Sequence, residues 1–319
     1  MNIFEELNGG ACFNCGEPVR EDWKLCPSCE APLEYRCPQC RSPVKRNWKR
    51  CPECEVRLVC PTCNRRIKVG LSGCDTCSEK SQNHDQPETG IIDPVTGIEF
   101  IALKRGTFIM GDLLDEGLEN EKPLHEVRLD SFHISKYPVT QKQWKSLMRG
   151  NNSRFRGGRH PVEQVSWDEV QIFIDRISKT ISSEYRVHLP TEAQWEYAAR
   201  SGGRNEKYAG SDEPDKVAWY NDNSHGSTHP VGIKASNGLG LYDMSGNVWE
   251  WCRDNFKVDA YRYHDQHNPV IIGRGRDRVI RGGGWNVDSW SVRCARRYNL
   301  PREWHGPGLG FRLVLNTQK

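Results

Sequence analysis

Apolar positions are spread unevenly along this chain, and one stretch carries a clear helical period. Val170, Phe173, Ile174, Ile177 and Ile181 recur at three- and four-residue intervals, which puts them on one face of a helix. Polar residues mark where helices begin. Thr140–Gln143, Ser166–Glu169 and Thr191–Gln194 each set a hydroxyl three residues before a Gln or Glu, so the two side chains can cap one another's backbone N–H. The third of these helices is expected to stop after Arg200 and Ser201, with Gly202 as its C′ residue. Elsewhere the apolar segments are short and broken by glycine, as in Phe100-Ile-Ala-Leu-Lys-Arg-Gly-Thr-Phe-Ile-Met-Gly. Such a pattern predicts an α+β domain with much irregular structure, not a parallel doubly wound sheet.

The apolar pattern fades towards the N-terminus. Residues 78–94 are mostly polar and read as a flexible linker, leaving residues 95–316 for the second domain. Before the linker, residues 12–77 hold six CxxC pairs: Cys12 with Cys15, Cys26 with Cys29, Cys37 with Cys40, Cys51 with Cys54, Cys60 with Cys63 and Cys74 with Cys77. Taken two pairs at a time, ten residues separate the pairs in every case. A CxxC turn aims two sulfurs at one metal, and two such turns complete a tetrahedral four-sulfur site. Pro27, Pro38, Pro52 and Pro61 each follow the first cysteine of a turn, where a fixed φ suits the bend. Three zinc ions in three tandem ribbons are therefore expected. Each ribbon is too small for an apolar core of its own, so metal binding must supply most of its folding energy. Iron would accept the same donors, and a disulfide framework is the competing use of the cysteines. The repeats resemble the double-zinc-ribbon family, extended by one unit.

Composition narrows the setting. The chain opens on Met-Asn-Ile-Phe-Glu-Glu-Leu without a basic segment followed by an apolar one, so no signal peptide is expected. No apolar run is long enough for a membrane-spanning helix. Cysteines kept as thiolates for metal then point to the cytoplasm. Between Cys12 and Cys77 lie twelve basic and eight acidic residues. Each zinc–tetrathiolate centre adds a charge of about −2, which turns that surplus slightly negative. Nucleic acid is therefore disfavoured as a target of the ribbons, and a protein partner is expected.

The second domain carries longer motifs. Gly106-Thr-Phe-Ile-Met-Gly-Asp, His160-Pro-Val-Glu-Gln-Val-Ser-Trp-Asp-Glu-Val, Arg186-Val-His-Leu-Pro-Thr-Glu-Ala-Gln-Trp-Glu-Tyr, Gly240-Leu-Tyr-Asp-Met-Ser-Gly-Asn-Val-Trp-Glu-Trp and Arg281-Gly-Gly-Gly-Trp-Asn occur in that order, followed by Gly310-Phe-Arg-Leu-Val. Their order resembles the formylglycine-generating-enzyme (sulfatase-modifying factor) family over about Gly97 to Leu315. The resemblance implies a variant of the C-type lectin fold. It also implies where catalysis would sit, since oxidases of that family hold copper on two cysteines shortly after Arg-Gly-Gly. Those places are Val287 and Val292 here. Cys294 lies nearby, but a lone thiolate cannot make a two-sulfur copper site, and Cys252 is expected to pack in the core.

Two further expectations come from the resemblance. The family binds a structural calcium at a stretch corresponding by position to Asp243, Gly246, Val248 and Glu250; the alternative is an acidic turn that bonds its own backbone. Variable proteins of diversity-generating retroelements share the fold and use the surface after Arg-Gly-Gly to bind ligands. The matching residues are Trp285, Asn286, Asp288, Trp290, Tyr298, Trp304 and His305, with core positions as the competing reading for Trp285 and Trp290. Together these readings predict a non-catalytic binding or adaptor protein. A metal-dependent oxidoreductase with an atypical site is the alternative.

Overall fold

The structure is a computed structural model that describes residues 42, 44, 51–53 and 90–318. The chain divides into two compact units, Met1–Pro87 and Glu88–Lys319. Of the twelve ribbon cysteines, Cys51 alone is among the described residues, and it is buried. The other expected zinc ligands, Cys12, Cys15, Cys26, Cys29, Cys37, Cys40, Cys54, Cys60, Cys63, Cys74 and Cys77, lie outside the described residues. So does the expected ribbon architecture.

The second unit is built from three sheets and short helices. Strands β1 (Ile91–Ile92), β2 (Glu99–Leu103), β5 (Phe132–Ser135), β6 (Tyr185–His188) and β11 (Val314–Thr317) form a five-stranded antiparallel sheet in the order β1-β2-β5-β11-β6. Strands β7 (Trp249–Asn255), β8 (Asp277–Arg281), β9 (Arg297–Pro301) and β10 (Leu309–Gly310) form a second sheet in the order β10-β7-β8-β9. Strands β3 (Gly106–Met110) and β4 (His125–Leu129) make a separate hairpin. The first strand begins before the expected domain start at residue 95. Ile91 pairs with Phe100, and the buried Asp93 accepts from Thr96 N at 2.6 Å and from Thr180 Oγ1 at 2.6 Å, so the chain is already tied down where a linker was expected.

All three expected helix starts form reciprocal capping boxes, at α1 (Gln141–Leu147), α2 (Trp167–Ile177) and α3 (Glu192–Ala199). A fourth, single-turn helix, α4, spans Pro214–Val217. In α2 the residues Val170, Phe173, Ile174 and Ile177 face inward, while Ile181 is buried beyond the helix end. α3 ends earlier than expected. Ser201 (φ 50°) already turns left-handed before Gly202 (φ 84°), whose N–H donates to Tyr197 O at 2.9 Å. α3 is buried on every side, so it runs through the middle of the domain rather than along its surface.

Candidate functional site

Arg281, at the end of β8, opens the loop that carries the expected site. It is fully buried and donates from Nη1 to Glu192 Oε1 and Ala295 O, and from Nη2 to Glu196 Oε2 and Cys294 O. One guanidinium thereby clamps both ends of the loop to α3. Arg297 donates to both Glu192 oxygens at 2.7 Å, and Arg293 forks onto Glu121 at 3.0 and 3.1 Å. Buried charges of this kind persist where each has a partner and its remaining donors are filled. Gly282 (φ 91°) and Gly283 (φ 74°) make the turn that follows; a Cβ on Gly283 would meet Ser291 O at 2.9 Å.

Val287 and Val292 belong to one apolar cluster. Val292 is fully buried in a small apolar cluster with Tyr208, Val217, Ala218 and Tyr220, and Val287 lies against it. The loop thus brings the two positions to one place and fills it with methyl groups, which offer copper no donor. Cys294 and Cys252 are both fully buried, and neither is in a disulfide. Burial pushes the Cys294 thiol up to about 12, and the Cys252 thiol well above its ordinary range. Thiols held this way stay protonated and behave as small apolar side chains.

The expected ligand-binding residues divide into two groups. Trp290 is structural: its Nε1 donates to Glu116 O at 2.9 Å, and its ring lies under the guanidinium groups of Arg293 and Arg296, 4.5 and 4.8 Å away. Asp288 caps the short 3₁₀ turn at Ser289–Val292, accepting from Ser291 N at 2.9 Å. Asn286, Tyr298, Trp304 and His305 are exposed. Trp285 is half-buried, edge-on to Phe155 with ring centres 5.1 Å apart, and Trp249 sits 6.0 Å from Tyr298.

Sequence reasoning missed Glu163. It is fully buried, and Oε1 accepts from Phe155 N at 3.0 Å while Oε2 makes no hydrogen bond of good geometry. Burial raises its pKa against the pull of the Phe155, Arg154 and Gly308 N–H groups. The Trp285 Nε1 donor is also buried without a partner, and a Cβ on Gly308 would stand 2.9 Å from it. An acceptor and a donor without hydrogen bonds of good geometry therefore both lie near Gly308. The motif His160-Pro-Val-Glu163 held the carboxylate in view, but nothing in the sequence pairs it with Trp285.

The residues expected to hold calcium are joined to the fold by hydrogen bonds. The Glu250 carboxylate is occupied by Arg312 and by Trp195 Nε1, and Asp243 accepts from Gly232 N at 2.8 Å and Asn247 Nδ2 at 3.2 Å. Gly246 O accepts from Val248 N at 2.9 Å. Burial lifts the Asp243 carboxyl to about 6. Among the described residues, no group of three or more His, Cys, Asp or Glu side chains is arranged to hold a metal.

Comparison with known proteins agrees with this architecture. Residues 88–317 match the sulfatase-modifying factor enzyme 1-like domain, and residues 12–55 match the double zinc ribbon. The chaperone protein LppX of Paenibacillus barcinonensis is 30% identical over 280 residues, covering 70% of this chain and 96% of that one. The formylglycine-generating enzyme of Streptomyces coelicolor is 31% identical, covering 66% of this chain and 87% of the enzyme. Among solved structures, Treponema denticola variable protein 1 superposes with a TM-score of 0.62 at 27% identity, covering 71% of this chain and 98% of that protein. The fold is thus the C-type-lectin-like arrangement of these proteins, and the chain belongs to the family of the sulfatase-modifying factor enzyme 1-like domain, carrying a double zinc ribbon ahead of it.

Proposed function

We propose that the second domain is a non-catalytic recognition module that binds a protein partner on the face around Trp285, Asn286, Tyr298 and Trp304. The zinc-ribbon segment acts as a second binding module on the same chain, which makes the whole an adaptor. The observation that carries this reading is that Val287 and Val292, which share one apolar cluster, stand where the family's oxidases need two thiolates. Oxygen activation on copper has no donor pair there, and the Cys294 thiol is both enclosed and held protonated. The exposed Trp304 and Tyr298 supply the side-chain types that anchor protein interfaces. Near Gly308, Trp285 Nε1 and Glu163 Oε2 are a buried donor and acceptor without hydrogen bonds of good geometry. A match between this chain and a variable protein of the same fold fits a binding role. Paired thiolate chemistry in the ribbons favours a cytoplasmic setting.

The test is direct. Purified protein supplied with copper(I) and a cysteine-containing sulfatase-type peptide is expected to consume no oxygen and to leave the peptide thiol intact. Oxygen uptake coupled to thiol loss, and abolished by Cys294→Ser, would make the protein an oxidoreductase and overturn the binding reading.

A further inference from the structure

A cavity of about 1040 Å³ lies between one face of α2 and strand β6, and shares none of its lining with the Arg-Gly-Gly face. Trp167, Gln171 and Asp175 line it from α2, at spacings that share one helical face. Every residue of β6, Tyr185 to His188, also lines it. Asn316 and Thr317 of β11, which pair with Arg186 and Tyr185, and Gln318 line it as well, so the cavity follows β6 across the last strand pair of the sheet. Among the described residues, β6 ends the sheet order and pairs with β11 alone. An edge strand of this kind presents N–H and C=O groups to an incoming chain, and a groove between an edge strand and a helix is where extended peptides add to a sheet.

The groove is also charged on one side. Arg186, Arg253 of β7 and Arg278 of β8 line it, against the single carboxylate of Asp175. Neither Arg186 nor Arg253 forms an ion pair among the described residues. Arg278 stacks on Trp167 at 4.3 Å, and its buried Nε has no partner. His188 adds a second, independent feature. It is 8% exposed, and Nδ1 lies 2.6 Å from Leu189 O, a group that only accepts, so Nδ1 carries the proton. Nε2 is then an acceptor, buried beside the Asn316 side chain and without a hydrogen bond of good geometry. A ligand that completes this groove brings carboxylates for the guanidinium groups and an N–H for His188. A free phosphate or carboxylate ion brings the first without the second.

We propose that this groove binds an acidic, extended peptide segment of a partner protein, which lies alongside β6 with its carboxylates on Arg186 and Arg253 and an N–H on His188 Nε2. The experiment uses the full chain and a fluorescein-labelled hexapeptide that alternates Glu and Val, followed by fluorescence anisotropy. Binding in the micromolar range is expected. It should weaken about tenfold or more in the Arg186→Gln/Arg253→Gln double variant, whose melting curve checks that it still folds. A second measurement keeps the protein unaltered: N-methylation of the peptide's alternate amides, which removes ladder hydrogen bonds, should weaken binding to a similar extent. A Lys/Val hexapeptide should not bind. No binding at about 1 mM acidic peptide, or equal binding of the basic one, overturns the proposal. It is also overturned if N-methylation has no effect and free glutamate or inorganic phosphate displaces the peptide at equal concentration, because the groove is then a small-anion site.

Discussion

Arg312 lies across the Glu250 carboxylate, with Nε 2.7 Å from Oε2 and Nη2 2.9 Å from Oε1, and both side chains are fully buried. The same guanidinium donates to Ser135 O and Tyr242 O, so one residue joins β5, β7 and the last segment of the chain. Truncating it leaves a buried carboxylate without its counter-charge. Arg312→Met is expected to lower the unfolding free energy by about 3–5 kcal/mol, measured by urea titration. Because the pair already neutralises Glu250, a calcium-selective chelator should leave the melting temperature unchanged. A chelator-dependent fall in wild type that disappears in Glu250→Gln would instead put calcium at Asp243, Gly246, Val248 and Glu250.

The ribbon cysteines make a separate prediction that rests on their spacing. Elemental analysis of the purified chain should give about three zinc per molecule, one for each quartet. Replacing Cys37 and Cys40 with Ser should remove one zinc and leave the other two. Intramolecular disulfides in freshly prepared, reduced protein would defeat the ribbon reading.

His188 predicts a particular acid response. Burial holds its folded pKa down at about 4, against about 6.5 when unfolded. The unfolded chain therefore takes up this proton first as pH falls. The contribution is present in full above pH 6.5 and is lost between 6.5 and about 4. Asp243, raised to about 6, works in the opposite sense, since its protonation on acidification favours the folded state. The informative quantity is thus a difference between proteins. The loss of stability from pH 7 to pH 4 should be smaller in His188→Gln than in wild type, by about 3 kcal/mol at most. Equal losses in the two proteins would show that His188 is solvated.

Local signals in this sequence were readable, and long-range ones were not. The capping boxes at Thr140, Ser166 and Thr191 use residues three positions apart, and all three form. The valines at positions 287 and 292 could be placed together because one motif spans both. The buried charges that hold the loop could not, since Arg281 and Glu196 are 85 positions apart and Arg297 and Glu192 are 105 apart. An arginine in a sequence reads as surface until a distant carboxylate is known to face it. The same limit explains Glu163 and Trp285, whose polar atoms both lie near Gly308. It also bears on Trp290, for which ligand contact and a core position both stood open, and whose ring lies against Arg293 and Arg296.

The two exposed-looking tryptophans of the Arg-Gly-Gly region therefore make opposite predictions. Trp290 fills the space under Arg293 and Arg296 and donates to Glu116 O, so its removal strips packing from both guanidinium groups and leaves that carbonyl without its donor. Trp290→Ala should destabilise the domain by about 2–4 kcal/mol, in the range of aromatic truncations at packed sites. Trp304 is 53% exposed, and its backbone N–H to Pro301 O bond does not depend on the ring. Trp304→Ala should change the melting temperature little. If the face binds a partner, that same variant should weaken capture by more than about 1 kcal/mol, a loss of at least fivefold in affinity. Measured on one preparation by thermal melting and by partner titration, the two variants separate support from recognition. A Trp304→Ala protein that melts normally and binds its partner as well as wild type would remove this residue from the face. The binding would then have to rest on Trp285, Asn286 and Tyr298.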